Sequence, residues 1–335
     1  MYQDYFNENI IYEDPIVLIE GDDGLISSNL LFEPTKLISI KDYSLKNNID
    51  ESLFIIDGRR IILKDINSNI PYLTKDNVTL KDIPSGVETL TGVLFTESPN
   101  LYKYRINFSY EHENPKLSLM AKKGRFLPNT KRILNSQKTL NYLVYGDSIS
   151  VGCSSTEFLN IEPFEKIFPI GFMDELKKKY SININYTNTS VGGMDSIWGI
   201  KNVYENAVKY NPDLVIIGFG MNDGTAKLNP LTFKENIKGI IDEVRGKNAS
   251  SEFILISTII PNINTGFLGL QEDYLPILLE LEKEYNGVIV LNMTHYYKEL
   301  WKYKNSFELL SNNINHPSDF GVRLYVKSLL TLIEE

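Results

Sequence analysis

Residues 142–155 read YLVYGDSISVGCSS, and this stretch decides the fold. An apolar run with the length and Tyr/Leu/Val content of a core strand stops at Gly146-Asp147-Ser148. Glycine followed by small polar residues is how such a strand ends. A serine just beyond a buried strand stands on a loop held by a rigid scaffold, where reactive groups are often carried. Asp147 and Ser148 also suit a helix N-cap, because a short side-chain oxygen accepts from the first free backbone N–H groups. The rest of the chain has to separate capping from chemistry.

Downstream of this stretch, strands and helices alternate. Strands are read at 142–145, 184–187 (INYT), 214–219 (LVIIGF), 253–257 (FILIS) and 288–291 (VIVL). Helical patterns lie between them at 165–180, 197–210, 231–245 and 271–285, with a last helix at 319–333. LVIIGF and VIVL are apolar throughout, as strands covered on both faces must be. The pattern predicts a parallel sheet wrapped by helices, a three-layer α/β/α domain over residues 136–335. Upstream the character differs. Short β-type runs recur at PIVLIE (15–20), LFII (53–56), RIILK (60–64), TLTGVLF (89–95) and YKYRINFSYE (102–111). Asp57-Gly58 is a two-residue hairpin signal of the type I′ kind, and YKYRINFSYE alternates like a half-buried strand. Residues 1–135 are therefore expected to form an all-β sandwich or jelly roll, with the polar stretch 124–139 as the connection.

Length and composition agree with two domains. A chain of 335 residues exceeds the size, roughly 250–300 residues, at which a single core usually stops growing. Lys and Arg total 34 against 43 Asp and Glu, a net charge of -9, which argues against a nucleic-acid groove. A single cysteine, Cys153, excludes an internal disulfide. With three histidines and no metal-ligand spacing, neither a metal nor another cofactor is expected. The acidic opening MYQDYFNENIIYEDP lacks the basic and apolar parts of a leader, and no apolar run reaches a membrane span. The expectation is a cytoplasmic protein with no membrane partner.

Parallel sheets place their sites beyond the carboxyl ends of the strands. Behind the first strand comes Ser148, behind the second Asn188-Thr-Ser-Val-Gly192-Gly193, and behind the third Gly220-Met-Asn222-Asp223-Gly224. Asn313-Ile-Asn-His316-Pro-Ser-Asp319 precedes the last helix. A nucleophile, a base and donors for an oxyanion thus fall on one sheet edge, the parts of acyl-transfer hydrolysis. Gly218-x-Gly220 is a poor dinucleotide fingerprint, with Asp223 where the third glycine belongs. No G-x-S-x-G elbow surrounds Ser148. His112 and His295 are read as structural or exposed, Trp198, Trp301, Tyr296 and Tyr297 as helix-packing residues, and Cys153 as a small buried residue.

These four blocks in order, GDS with Ser148, the glycine block with Gly193, GxND with Asn222 and HPSD with His316, resemble the SGNH/GDSL hydrolase family. The resemblance covers residues 140–335. It implies a serine ester hydrolase in which Ser148 attacks and His316 acts as base. The Ser148 and Gly193 N–H groups and the Asn222 amide would hold the oxyanion. The layout and the HPSDFG wording resemble two-domain carbohydrate esterases that deacetylate sugars. The implied substrate is a small-molecule or oligosaccharide acyl ester. A lipase or thioesterase specificity, or a carbohydrate-binding protein with a decayed site, are the alternatives. In one respect the chain departs from the family, since Asn313 stands where an aspartate three residues before His316 is usual. Nδ1 of His316 is then expected to donate to a backbone carbonyl or to the Asn313 side-chain oxygen. Asp319 is expected to cap the last helix.

Overall fold

The computed structural model describes residues 9–75, 99–113, 122–136 and 138–334. Strands β1 (Ile10–Val17), β2 (Ile19–Glu20), β3 (Ile26–Asn29), β4 (Pro34–Lys41), β5 (Phe54–Asp57), β6 (Arg60–Leu63) and β7 (Arg105–His112) make up the sheet-rich N-terminal part. They form two antiparallel sheets, ordered β1-β7-β4 and β2-β3-β6-β5. The expected strand TLTGVLF (89–95) lies outside the described residues.

The second part is built on β8 (Leu140–Gly146), β9 (Ile184–Asn188), β10 (Leu214–Gly218), β11 (Glu252–Ser257) and β12 (Val288–Asn292). All are parallel, in the order β12-β11-β10-β8-β9. The chain steps outward from β8 to β9, then crosses to the other side of β8 as β10. The winding reverses between β8 and β10, and sheets of this kind place their sites outside the carboxyl ends of the strands at that point.

Alternate residues of these strands serve opposite faces. Leu143, Tyr145, Val215, Ile217, Phe253 and Leu255 pack under the helices on one side. The helix Pro230–Lys247 there buries Phe233, Ile237, Ile240, Ile241 and Val244, a single stripe at helical spacing. Each such side chain contributes about 1.5–3 kcal/mol by leaving water, so a charge at Ile240 would break this layer. On the other face Tyr142, Val144, Ile216 and Ile254 share one continuous core with Phe172 and Leu329. That core runs on into Ile16, Leu30, Ile106 and Phe108 of the N-terminal sheets.

Four details depart from the sequence expectations. The stretch 124–139 contains a helix, Pro128–Leu134, with Thr130, Ile133 and Leu134 buried. Its N-terminus is held by Glu252, whose carboxylate accepts from Asn129 N (2.9 Å) and Thr130 N (2.7 Å), a partner no local pattern reveals. Strand β7 starts at Arg105 after a 3-10 turn, Pro99–Tyr104, is paired on both edges as the central strand of its sheet, and is buried on both faces rather than one. The hairpin turn is Gly58-Arg59, with Asp57 paired to Arg60 and only Gly58 of these two at positive φ (56°). It is therefore not the I′ turn, which needs positive φ at both central residues. A helix that was not foreseen, Met293–Leu300, follows β12 and is capped by Asn292, which accepts from His295 N.

Candidate active site

Gly146 pairs with Gly218 at the ends of β8 and β10, and the approach is too close for any side chain. A Cβ on Gly146 would stand 2.4 Å from the Gly218 carbonyl oxygen and 2.5 Å from Ser150 Oγ. This contact fixes where Asp147 and Ser148 emerge. Asp147 caps the short helix Ser148–Val151, its carboxylate accepting from Ile149 N at 2.9 Å. Capping therefore belongs to Asp147, and the Ser148 hydroxyl is left to face His316. Burial pushes the Asp147 carboxyl up to about 7, the Ile149 N–H pulls it back and Asp223 pushes it up further.

His316 Nε2 lies 2.9 Å from Ser148 Oγ, joining residues 168 positions apart. Their side chains sit at the rim of the core, 7% and 6% exposed for the two residues. The distance suits proton transfer between a hydroxyl and an imidazole. The loop after β9 is tied back by Val191 N donating to the Gly146 carbonyl (3.0 Å). Gly193 in that loop has φ 78° and open space where a Cβ would point. Only a residue without a side chain takes this conformation at little cost, and the loop backbone stays approachable. Asn222, half-buried at the start of the helix Met221–Thr225, donates through Nδ2 to the Met194 carbonyl at 2.9 Å. Asp223 beside it anchors the start of the preceding helix Ser196–Lys201 by accepting from Ser196 N (3.0 Å) and the Ser196 hydroxyl.

The Nδ1 edge of His316 differs from both expectations. Ser154 Oγ lies at 3.0 Å from Nδ1 and Asn312 Nδ2 at 3.1 Å. Asn313 is turned elsewhere, at φ 59°, with its carbonyl and its side-chain oxygen both accepting from Asn262 Nδ2 (2.9 and 3.3 Å). The side-chain oxygen of Asn312 accepts from three backbone N–H groups, those of Ile314, Asn315 and His316, and so shapes the turn that carries the imidazole. Asp319 is not the cap of the last helix but its first residue, after Ser318. Its carboxylate accepts from Thr156 N (3.2 Å) and Thr156 Oγ1 (2.9 Å), with the Tyr102 hydroxyl oxygen 3.3 Å away. Burial pushes it up to about 6, with Glu165 adding and Arg323 opposing. Ser154 and Asn312 had no motif to mark them, since their partner lies across the fold or depends on the exact shape of a turn.

The N-terminal sheets hold the segment that carries His316. Arg105 donates to the carbonyls of Phe307 and Leu310. Glu308 accepts from Val17 N (3.1 Å) and the Ser28 hydroxyl, and Lys304 pairs with Asp14 at 2.8 Å, both side chains fully buried. Tyr102 OH donates to the Ser154 carbonyl at 2.8 Å. The remaining sequence candidates are structural. His112 is buried and stacked on Phe32, and His295 is exposed. Tyr296 and Tyr297 are core residues, Trp198 packs beside Tyr145, and the Trp301 indole donates to the Ile260 carbonyl. Cys153 is half-buried rather than buried.

With this geometry in hand, comparisons with known proteins are consistent. The profile of the "GDSL-like Lipase/Acylhydrolase family" matches residues 144–324. An arylesterase of Vibrio mimicus is 27% identical over 145 residues, 43% of this chain and 68% of that one. The crystal structure of a two-domain esterase active on acetylated mannans, co-crystallised with mannopentaose, aligns with TM-score 0.51 at 21% identity. That alignment covers 63% of this chain and 54% of the esterase, so the chain spans about half of that protein's length. A second structure of the mannan esterase aligns over 64% and 54%, also with TM-score 0.51. The likeness is one of fold. No helix among the described residues is long and apolar enough to cross a membrane. The chain belongs to the GDSL-like lipase/acylhydrolase family and is a carboxylic ester hydrolase.

Proposed function

We propose that the protein is a serine esterase that removes small acyl groups, acetyl foremost, from hydroxyls of a carbohydrate or a related compound. The observation that carries this reading is the Ser148 Oγ–His316 Nε2 approach of 2.9 Å beyond the carboxyl ends of a parallel sheet. His316 takes the hydroxyl proton as Ser148 Oγ bonds to the ester carbon. The carbonyl oxygen becomes an oxyanion held by the Ser148 and Gly193 N–H groups and the Asn222 amide. His316 then gives the proton to the leaving alkoxide, and water repeats the sequence to release the acid. Low exposure around the two side chains supports a small acyl group. The carbohydrate assignment is supported by the fold shared with an esterase active on acetylated mannans.

The same reading divides the chain into a β domain (1–135), closed as a sandwich, and the hydrolase domain (136–335). The change from antiparallel to parallel sheets across the helix Pro128–Leu134 supports that boundary. Turnover of p-nitrophenyl acetate, butyrate and octanoate, beside acetate release from acetylated oligosaccharides, tests the assignment. Preference for octanoate would overturn it in favour of a lipase-like activity.

A further inference from the structure

His316 has a serine hydroxyl and a primary amide on its Nδ1 edge, where a carboxylate would be expected. The orientation of that amide follows from its surroundings. Asn312 Oδ1 accepts from three backbone N–H groups at 3.0–3.1 Å. Asn312 Nδ2 donates to Asn315 Oδ1 at 3.1 Å. Rotating the amide by half a turn would place its NH₂ against three donors and its oxygen against another oxygen. The hydrogen-bond network therefore assigns the NH₂ to the side facing the imidazole.

An NH₂ group has no lone pair to offer, so toward it Nδ1 must act as acceptor. A neutral imidazole whose Nδ1 accepts carries its proton on Nε2. In that form Nε2–H donates to Ser148 Oγ and cannot take the serine's proton. The base-competent form needs Nδ1–H and an acceptor for it, and Ser154 Oγ at 3.0 Å supplies one. Ser154 is set in place by Tyr102, which donates to its carbonyl.

We propose that Asn312 holds the resting imidazole of His316 in its Nε2-protonated tautomer, and that Ser154 is the positioning residue whose hydroxyl accepts Nδ1–H when the base-competent tautomer forms. Moving between the two tautomers relocates one proton from Nε2 to Nδ1 through water, with no change in net charge. This rests on the esterase reading above. It makes the enzyme slower than its parts allow, and an aspartate at position 312 removes the brake. One carboxylate oxygen would keep the three backbone N–H partners, the other would accept from Nδ1–H, and the Asn315 amide can turn to donate.

The test is ¹⁵N-histidine labelling, practical because the chain has three histidines, with His316→Ala assigning the signal. With the ring neutral, the wild-type His316 should give a protonated-type Nε2 shift and a lone-pair-type Nδ1 shift. In Asn312→Asp the two should exchange, and kcat/KM on p-nitrophenyl acetate should rise about tenfold, a fraction of the ~10⁴ that tautomer control is worth in serine proteases. Ser154→Ala should cost tenfold or more in the wild-type background and little beside Asn312→Asp. A wild-type spectrum with the proton on Nδ1 overturns the proposal without any variant having to fold. So does an equal cost of Ser154→Ala in both backgrounds. If Ser148→Ala retains turnover the esterase reading itself fails. If Ser148→Ala is dead and Nδ1 carries the proton, the tautomer proposal alone fails.

Discussion

Ser148, Gly193 and Asn222 stand within a few residues of β8, β9 and β10, whereas His316 sits in an irregular segment gripped from the opposite end of the chain. On the serine side, position follows from strand ends, a glycine pair in close contact and a local cap. On the histidine side it follows from Lys304–Asp14, Glu308–Ser28 and Arg105, all buried and all joining that segment to the N-terminal sheets. The difference separates two kinds of fragility. Substituting the serine-side functional groups Ser148 and Asn222 should cost chemistry without cost to the fold, while histidine-side substitutions should cost both together.

The sharpest test is Ser148→Ala. It should lower kcat by up to about 10⁶-fold, the scale seen when a serine nucleophile is removed, with an unchanged melting temperature. Comparable unfolding would erase the contrast between the two sides. Lys304→Met leaves Asp14 and Glu308 buried without their cation. It should cost about 3–5 kcal/mol in urea denaturation, with esterase activity falling in parallel. A stable, fully active Lys304→Met protein would mean that the N-terminal sheets do not hold the histidine segment.

Asn222→Ala belongs to the serine side and should lower kcat by about 10²–10³ with little change in stability. An effect confined to KM would remove Asn222 from the proposed oxyanion site. The smallest effect concerns pH. Asp319 is pushed from 3.8 up to about 6 in the fold, so its contribution to stability is present below pH 3.8 and lost as pH rises through about 6. Asp319→Asn does not titrate. Relative to wild type it should gain stability between pH 4 and pH 8, by up to about 3 kcal/mol. Parallel pH–stability curves for the two proteins would refute this.

How much of this was legible in the sequence follows the same division. The five parallel strands could be read because strands such as LVIIGF and VIVL are apolar throughout and alternate with helical patterns, even though the edge strand β9 is only partly buried. Ser148, Gly193 and Asn222 were legible as residue types just past strand ends and His316 as a motif ahead of the last helix, and the structure brings Ser148 and His316 into contact. The helix Pro128–Leu134 was not, because its N-terminus depends on Glu252, more than a hundred residues away. The partners of His316 were missed for a related reason. Asn312 and Asn313 are neighbours of one type, and the turn that sends Asn313, at φ 59°, toward Asn262 and Asn312 toward the ring has no signal in the residue types.

The grip on the histidine segment also has a consequence in time. Val17 and Glu308 meet across 291 positions, and Ser28 and Glu308 across 280. Contacts of such separation form late, because closing long loops costs entropy before any contact repays it. On the ribosome the parallel sheet can condense behind β8 while the partner of Ser148 is still being synthesised. The protein should therefore acquire hydrolytic competence as its last step, and in refolding experiments esterase activity should return after the sheet's circular-dichroism signal, not with it.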